Sequence, residues 1–342
     1  MLPRSRIASV LILGLGAALI AIGVLLPRLL SDDPKLPLDL PPTSYVMRSA
    51  EGVSSKIAED GSREEVTSPI RRQLHGELIQ PADKERVSLR VGTSVIREMD
   101  AEVVGTADIT ELIDAQVWTF SIDRLSGKFQ GPATIVDRMA GVPRQVPVDG
   151  YWVKFPAGTE EKTYPVFDDF LRESVPADFK GKDTRNGEEV LHFTQKIDKT
   201  NVATHYRGNN THISIDGKDG FLTYEGTRDW YVEPRSGLVV DVAEDINLWW
   251  ETRDGEKLMT YLDFTGKMEE SETAWLLAGA RHVYSTTPLR PWSIALITIG
   301  AILAFAGTVG AVRPERRKAG DEPTPVEPEE KKFTLDPVQD DQ

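Results

Sequence analysis

The chain has no cysteine among its 342 residues. Disulfides, thiolate metal sites, cysteine nucleophiles and lipoprotein processing are therefore excluded. An exported domain without disulfides has to be stabilised by its own core. A chain of this length is long enough for that, because it can form one large domain or two smaller ones.

Sequence motifs that carry chemistry are also missing. No two of the five histidines have the i, i+4 spacing of a helical zinc site. The histidines are His75, His192, His205, His212 and His282. No G-x-S-x-G, Walker A or G-x-G-x-x-G string occurs. The adjacent carboxylates Asp168 and Asp169 are expected on opposite faces of a strand, so they should not converge on one bond. We predict no enzyme activity, no cofactor and no metal site.

Basic residues are fewer than acidic residues, and the formal net charge is −14. Phosphate groups are repelled by a strongly acidic surface. The sequence therefore predicts no nucleic-acid partner.

Two long apolar runs, residues 7–26 and 292–312, contain no charged side chain. Each is long enough to cross roughly 30 Å of hydrocarbon as a helix. Arg4 and Arg6 precede the first run and a basic segment starting at Arg313 follows the second, which predicts that both termini are cytoplasmic. The alternative for the first run is a cleaved signal peptide, although the run is longer than usual and no A-x-A-like site follows.

These runs predict a two-pass protein of the plasma membrane with five regions. The regions are a cytoplasmic N-terminus (1–6), a transmembrane helix (7–26), an extracytoplasmic β-rich domain (28–290), a second transmembrane helix (292–312) and a cytoplasmic tail (313–342). The tail is rich in Pro and Glu, a composition typical of disorder.

The region between the apolar runs mostly has the period of β-strands. Apolar and polar residues alternate in segments 85–91, 95–104, 115–122, 189–197, 221–227 and 238–246. Hairpin turns are predicted at the Asp-Gly and Asn-Gly pairs 60–61, 186–187, 216–217, 219–220 and 254–255. A short turn of helix is predicted at 167–173, and a helix is predicted at 271–282 with Ser271 as its cap. The fold class predicted is α+β, dominated by an antiparallel sheet.

A weak internal repeat relates residues 118–127 to residues 230–237, each an aromatic strand that ends in Ser-Gly. We interpret these as two hairpins in which Gly127 and Gly237 supply left-handed turn positions. The alternative is that the turns bind a ligand.

Large aromatic side chains are enriched on the predicted strands. Most of them are expected to fill the core. Trp249 and Trp250 are adjacent, however, and would place rings on both faces of one strand, so one face could line a ligand cavity. The candidate ligand-binding residues are Trp118, Phe120, Trp230, Trp249, Trp250 and Trp275.

Two blocks resemble a known family. Residues 149–168 (DGYWVKFPAGTEEKTYPVFD) and 230–241 (WYVEPRSGLVVD) are similar to conserved blocks of the actinobacterial porin PorA family, formerly a domain of unknown function. Ala157 and Ser236 depart from the residues common there. The resemblance implies a cell-envelope membrane protein, a START-like lipid-binding domain and a link to lipoglycan maturation.

The leading functional hypothesis is an envelope protein whose outer domain binds or presents a membrane lipid or a lipid-linked glycan. The alternative is a non-enzymatic scaffold that organises envelope-biosynthesis proteins such as glycosyltransferases. The porin label is set aside, because charges at 97–100 and 251–257 interrupt the apolar rows that a transmembrane barrel needs.

Overall fold

The computed structural model describes residues 4–29, 34–58, 60–98, 111–137, 141–208, 211–284 and 289–312. The predicted disordered tail (313–342) and most of the predicted strand at 95–104 lie outside the described residues. Two compact units are present, one of Met1–Ser31 with Leu289–Gln342 and the other of Asp32–Pro288.

The elements follow the chain in a simple order. The helices in the described ranges are α1 (Arg4–Leu29), α2 (Glu270–Tyr284) and α3 (Leu289–Val312). The strands there are β1 (Thr43–Ile57), β2 (Arg63–Ala82), β3 (Arg86–Arg97), β4 (Leu112–Asp123), β5 (Ala133–Val136), β6 (Arg144–Val146), β7 (Tyr164–Asp168), β8 (Glu173–Arg185), β9 (Glu188–Asn201), β10 (His212–Ile215), β11 (Lys218–Val232), β12 (Val239–Glu251) and β13 (Lys257–Met268).

The helical unit is a closely packed pair, α1 against α3. A Cβ atom added to Gly16 would lie 2.6 Å from the carbonyl oxygen of Gly300, and one added to Gly307 would lie 2.6 Å from the backbone nitrogen of Leu13. Such approach is possible only where side chains are absent. The glycines that interrupt the apolar runs therefore serve contact within the chain.

The outer surface of this pair is apolar. The segments Ile7–Leu26 and Pro291–Val312 are long and apolar enough to span a membrane, and only 11% of each is buried. Exposed side chains such as Leu11, Ile302 and Phe305 cover the surface. A surface of this kind is stable in lipid and not in water, so the chain is a membrane protein.

The second unit is built on one antiparallel sheet of 13 strands. Its order is β6-β5-β4-β3-β2-β1-β13-β12-β11-β9-β8-β7, and β10 pairs with β11. Strand β1 pairs with β13, so the two ends of the unit meet in the middle of the sheet. Burial alternates along strands such as β4 and β12, as the period of the sequence predicts. The sheet-dominated antiparallel fold is therefore confirmed, and the START-like arrangement stays a prediction.

Glycine turns explain the predicted hairpins. Asn186 and Gly187 have φ angles of +46° and +81°, and Asp216 and Gly217 have +50° and +79°. Two successive positive φ angles are the geometry that Asn-Gly and Asp-Gly pairs favour. The predicted turn at 219–220 is wrong, because both residues lie inside β11.

The two predicted helices have different outcomes. The predicted helical turn at 167–173 is confirmed only between the strands. Strand β7 ends at Asp168, the backbone N–H of Arg172 donates to the carbonyl oxygen of Asp168 at 2.8 Å as in one turn of α-helix, and β8 begins at Glu173. Helix α2 covers the predicted segment 271–282, but it begins at Glu270, so Ser271 is not its cap. Leu276, Leu277 and Ala280 of α2 are buried in the core of the sheet unit.

Candidate functional site

The six aromatic residues predicted to bind a ligand do not share one cavity. Trp118, Phe120, Trp230, Trp249 and Trp250 are all less than 10% exposed, whereas Trp275 is 49% exposed. Trp118 and Phe120 both contact the Trp152 ring, with centroid distances of 5.9 and 5.6 Å. These two residues therefore belong to a packed aromatic core.

The adjacent tryptophans of β12 lie on opposite faces of the strand. Trp250 packs in the hydrophobic core, with its ring 5.9 Å from that of Tyr261. Trp249 lies beneath the ammonium groups of Lys199 and Lys257, and its indole nitrogen donates to Glu251 at 2.7 Å. Both faces of β12 are thus covered by protein, one by apolar and one by charged side chains. A ligand role for these residues stays a prediction.

An apolar cavity of about 240 Å³ lies between α2, the segment before β1 and the sheet. Trp275, Leu276 and His282 of α2 line one side of it. Of the six predicted aromatic residues, only Trp275 reaches this cavity. The buried Lys154 also lines it, a residue that no sequence pattern singled out.

Lys154 is fully buried and donates hydrogen bonds to two backbone carbonyl oxygens, of Leu125 at 2.8 Å and Phe155 at 2.9 Å. Burial lowers the pKa of its amine to about 7, against the opposing effect of the carboxylates of Asp123 and Glu233. A neutral amine has two hydrogens to donate, and it has two carbonyl acceptors here. Lys154 is therefore a buried amine that changes its charge near neutral pH.

The internal repeat explains where Lys154 lies. In the first turn Asp123 accepts from the backbone N–H and the hydroxyl of Ser126, at 2.6 and 2.8 Å. In the second turn Glu233 accepts from the same groups of Ser236, at 2.7 and 2.6 Å. The two turns are thus built alike, and their carboxylates are the two that act on Lys154.

The glycines of these turns approach the chain around Lys154. Gly127 and Gly237 have φ angles of +76° and +73°, which confirms the predicted left-handed positions. A Cβ at Gly127 would collide with the carbonyl oxygen of Lys154, and one at Gly237 with that of Phe155. The repeat therefore clamps one backbone segment from two sides. That is a structural role, and a ligand role for the turns stays untested.

A second buried feature is a network of charged side chains inside the sheet unit. Arg72 binds Glu244 through Nε at 2.6 Å and Asp169 through Nη2 at 2.9 Å. Arg228 binds the other oxygen of Glu244 at 2.6 Å and also reaches Asp168 and Asp169. All five side chains are at most 4% exposed. Buried charges are stable only when they are paired in this way.

The network corrects one expectation from the sequence. Asp168 and Asp169 were expected to point apart, yet both bind Arg228, because the chain leaves the strand after Asp168. Burial raises the pKa of Asp168, against the effect of Arg228. The pKa of Asp169 is lowered, since Arg72 and Arg228 outweigh the effect of burial. Tyr224 donates to Asp168 at 3.0 Å.

The network leaves space for little else. A cavity of about 20 Å³ adjoins Arg72, Asp169 and Glu244, which is room for about one water molecule. Nη1 of Arg72 is buried without a protein partner, and such a water could accept its hydrogen. Among the described residues, no group of three or more His, Asp or Glu side chains could hold a metal ion.

Comparison of the sequence with known proteins identifies a family. The sequence model of the family described as "Porin PorA" matches residues 8–309. A curated protein named "Porin PorA" from Corynebacterium amycolatum is 24% identical, over 55% of this chain and 56% of its own length. The chain thus spans about half the length of that relative.

These findings overturn the function predicted from the sequence. Both names describe a porin, and neither supports binding of a lipid or lipid-linked glycan, lipoglycan maturation or a scaffold role. Setting the porin label aside was wrong, because the argument tested only a barrel of membrane-spanning strands, whereas the two apolar helices offer another way to span a membrane. The match runs from the first apolar helix to the second, and the chain belongs to the Porin PorA family.

Proposed function

We propose that the protein forms a channel through which small water-soluble solutes cross a membrane, and that it is not an enzyme. The observation that carries the proposal is the extent of the family match, which begins inside α1, includes the whole sheet unit and ends inside α3. The relative named as a porin supports the same activity.

The charges beside the helices support an orientation for this channel. Arg4 and Arg6 lie at the start of α1, and Arg313, Arg316 and Arg317 follow α3. Short basic flanks stay on the cytoplasmic side. We therefore place both termini in the cytoplasm and the sheet unit on the opposite, extracytoplasmic side of the membrane that the helices span.

One helix pair has no room for a channel. Gly16 and Gly307 bring the two backbones into direct contact, and the hydroxyl of Ser293 donates to the carbonyl oxygen of Gly23 at 2.5 Å. Thr298 and Thr308 donate to carbonyl oxygens one turn earlier in α3. With no space between α1 and α3, a water-filled passage requires helix pairs from several copies of the chain.

Among the described residues, the aromatic and the charged parts of the sheet unit's interior offer no passage either. Trp118, Trp152 and Phe167 fill it on one side with ring centroids 5.3–5.9 Å apart. Arg72 and Arg228 with their carboxylates fill another part and leave about 20 Å³. Assembly through the helices is therefore the arrangement that agrees best with a channel.

Planar-bilayer recording on the purified full-length protein tests the proposal. We expect discrete conductance steps whose frequency rises more steeply than linearly with protein concentration, because several copies must meet. Detergent alone and protein unfolded before addition serve as controls. A correctly folded protein that gives no steps above these controls would contradict channel activity, and steps with a strictly linear dependence would contradict assembly from several copies.

A further inference from the structure

An open cleft of about 530 Å³ lies in the sheet unit, beside the turn that follows Asp168 and Asp169 of the buried network. It is bounded by Arg144–Asp149, by Leu171–Glu173 and by His205–Arg207. Three arginines, Arg144, Arg172 and Arg207, line it. Their grouping is unexpected in a chain whose formal net charge is −14.

The most buried of these arginines carries two unfavourable features. Arg172 has a φ of +58°, the left-handed region that residues with a Cβ rarely adopt. Its side chain is 6% exposed, and its Nε has no hydrogen-bond partner in the structure. Strained and unsatisfied residues of this kind cluster at ligand sites, where the surrounding structure holds them in place.

Arg172 shares a carboxylate with Arg144 and packs against the residue next to Arg207. It donates to Asp137 at 2.7 Å, and Arg144 donates to the same carboxylate oxygen. Burial raises the pKa of Asp137, but Arg172 and Arg144 outweigh it and lower the pKa overall, so the carboxylate stays charged. The guanidinium of Arg172 also stacks 3.8 Å from the ring centre of Tyr206, the residue before Arg207.

The outer arginines keep donors available to a ligand. The Arg144 side chain is 41% exposed and uses one nitrogen for Asp137. Arg207 is exposed and makes no ion pair within the described part of the chain. Asp149 and Glu173 also line the cleft, and one oxygen of Glu173 lies 2.7 Å from Nδ1 of His205. The three lining arginines therefore exceed the lining carboxylates by one.

We propose that this cleft binds the carboxylate or phosphate group of a small solute, held between Arg144 and Arg207 and organised by Arg172. The planar fork of a guanidinium matches two oxygens of either group, and such charge-assisted pairs are stronger than neutral ones. The binding site stands on the geometry of the cleft and does not depend on channel activity.

Calorimetric titration of the detergent-solubilised full chain at low ionic strength tests this site. Inorganic phosphate is the probe in one arm and citrate in the other, which distinguishes phosphate from carboxylate ligands. We expect Arg207→Gln and Arg144→Gln each to weaken binding about tenfold, as for the loss of one charge-assisted contact. Arg86→Gln is the matched control, because Arg86 is an exposed arginine that pairs with Asp83 outside the cleft.

Binding of either probe that responds to Arg207→Gln and not to Arg86→Gln supports the site. Equal affinities of the Arg207→Gln, Arg86→Gln and wild-type chains would overturn it. So would the lack of binding of both probes up to about 10 mM. Calorimetry measures binding and bilayer recording measures conductance, so the two proposals fail separately. A chain that conducts ions but binds neither probe would contradict only the anion site, and a chain that binds a probe but does not conduct would contradict only the channel.

Discussion

The helical unit and the sheet unit are stabilised in opposite ways. No charged side chain occurs in residues 7–26 or 292–312, and Gly16 and Gly307 bring α1 and α3 into backbone contact. The sheet unit buries Arg72, Arg228 and Lys154, each at most 1% exposed. The first unit is held by close backbone approach without charges, whereas the second encloses paired charges and a buried amine within an apolar core.

The difference follows from what surrounds each unit. Lipid gives two helices no hydrophobic reason to associate, so their contact depends on packing and on hydrogen bonds such as that from Ser293 to Gly23. In the orientation proposed above, water surrounds the sheet unit and gives it a strong hydrophobic drive, which can offset the desolvation of a few well-paired charges. Substitutions that remove a buried ion-pair partner in the sheet unit, or a close glycine contact in the helical unit, therefore test this difference between the two units.

The largest effect is expected in the buried network. Arg228→Met removes the partner of Asp168 and Glu244 and should lower the free energy of unfolding of the sheet unit by about 3–5 kcal/mol. Arg86→Met removes an exposed ion pair with Asp83 and should change it by less than about 1 kcal/mol. Denaturant titration followed by tryptophan fluorescence measures both. Similar small losses would show that the buried charges contribute little.

The aromatic core gives the next largest difference. Trp118 is fully buried and Trp275 is 49% exposed, although the sequence predicted one role for both. Trp118→Ala should cost about 3–5 kcal/mol of unfolding free energy through the cavity it leaves. Trp275→Ala should cost less than about 1 kcal/mol, as for most surface positions. Equal losses in the same titration would contradict the burial of Trp118.

Local patterns made much of the fold predictable. Alternation of apolar residues indicated β4 and β12, and Asn186-Gly187 indicated a hairpin, because each signal lies within a few residues. The strand residues on either side of the turn after Asp168 were missed for the opposite reason. The apolar residues of this segment resemble a helix, and only pairing of β7 with β8 decides the outcome.

The buried charges could not be predicted, because their partners are far apart in the sequence. Arg72 meets Glu244 across 172 positions, and nothing near either residue indicates the other. The repeat gave the turns at Gly127 and Gly237 correctly but not their shared neighbour. Lys154 is a single polar residue between apolar neighbours in the sequence, and nothing there indicates that two turns enclose it.

The pH dependence of the sheet unit should reveal Lys154. Its pKa is lowered from 10.5 to about 7 in the folded chain, so between these values the unfolded chain binds more protons. Stability should therefore rise with pH by about 1.4 kcal/mol per unit, or about 2–3 kcal/mol from pH 7 to pH 9.

Denaturant titration of Lys154→Met at both pH values checks this origin. The variant should lose the rise, whereas Lys128→Met should keep it, because Lys128 is exposed beside the same turn. A rise that persists in Lys154→Met would assign the pH dependence to other groups.

The smallest effect is expected in the helical unit. Because the chain has no cysteine, two introduced cysteines can pair only with each other within one chain. A Cβ at Gly310 would lie 3.2 Å from the Cβ of Ser9, a few tenths of an ångström less than the roughly 3.5–4.5 Å between the Cβ atoms of a disulfide, so a small shift of the helices accommodates the bond. The double variant Ser9→Cys, Gly310→Cys should therefore form an intrachain cross-link on mild oxidation, visible on a non-reducing gel. In that background we expect Gly16→Leu to force the helices apart. The substitution should weaken the association of α1 with α3 by about 1–2 kcal/mol and so lower the cross-linked fraction. Gly14→Leu should leave the fraction unchanged, because a Cβ at Gly14 meets no atom within 4 Å. If both leucines acted alike, close glycine contact would not be what holds α1 to α3.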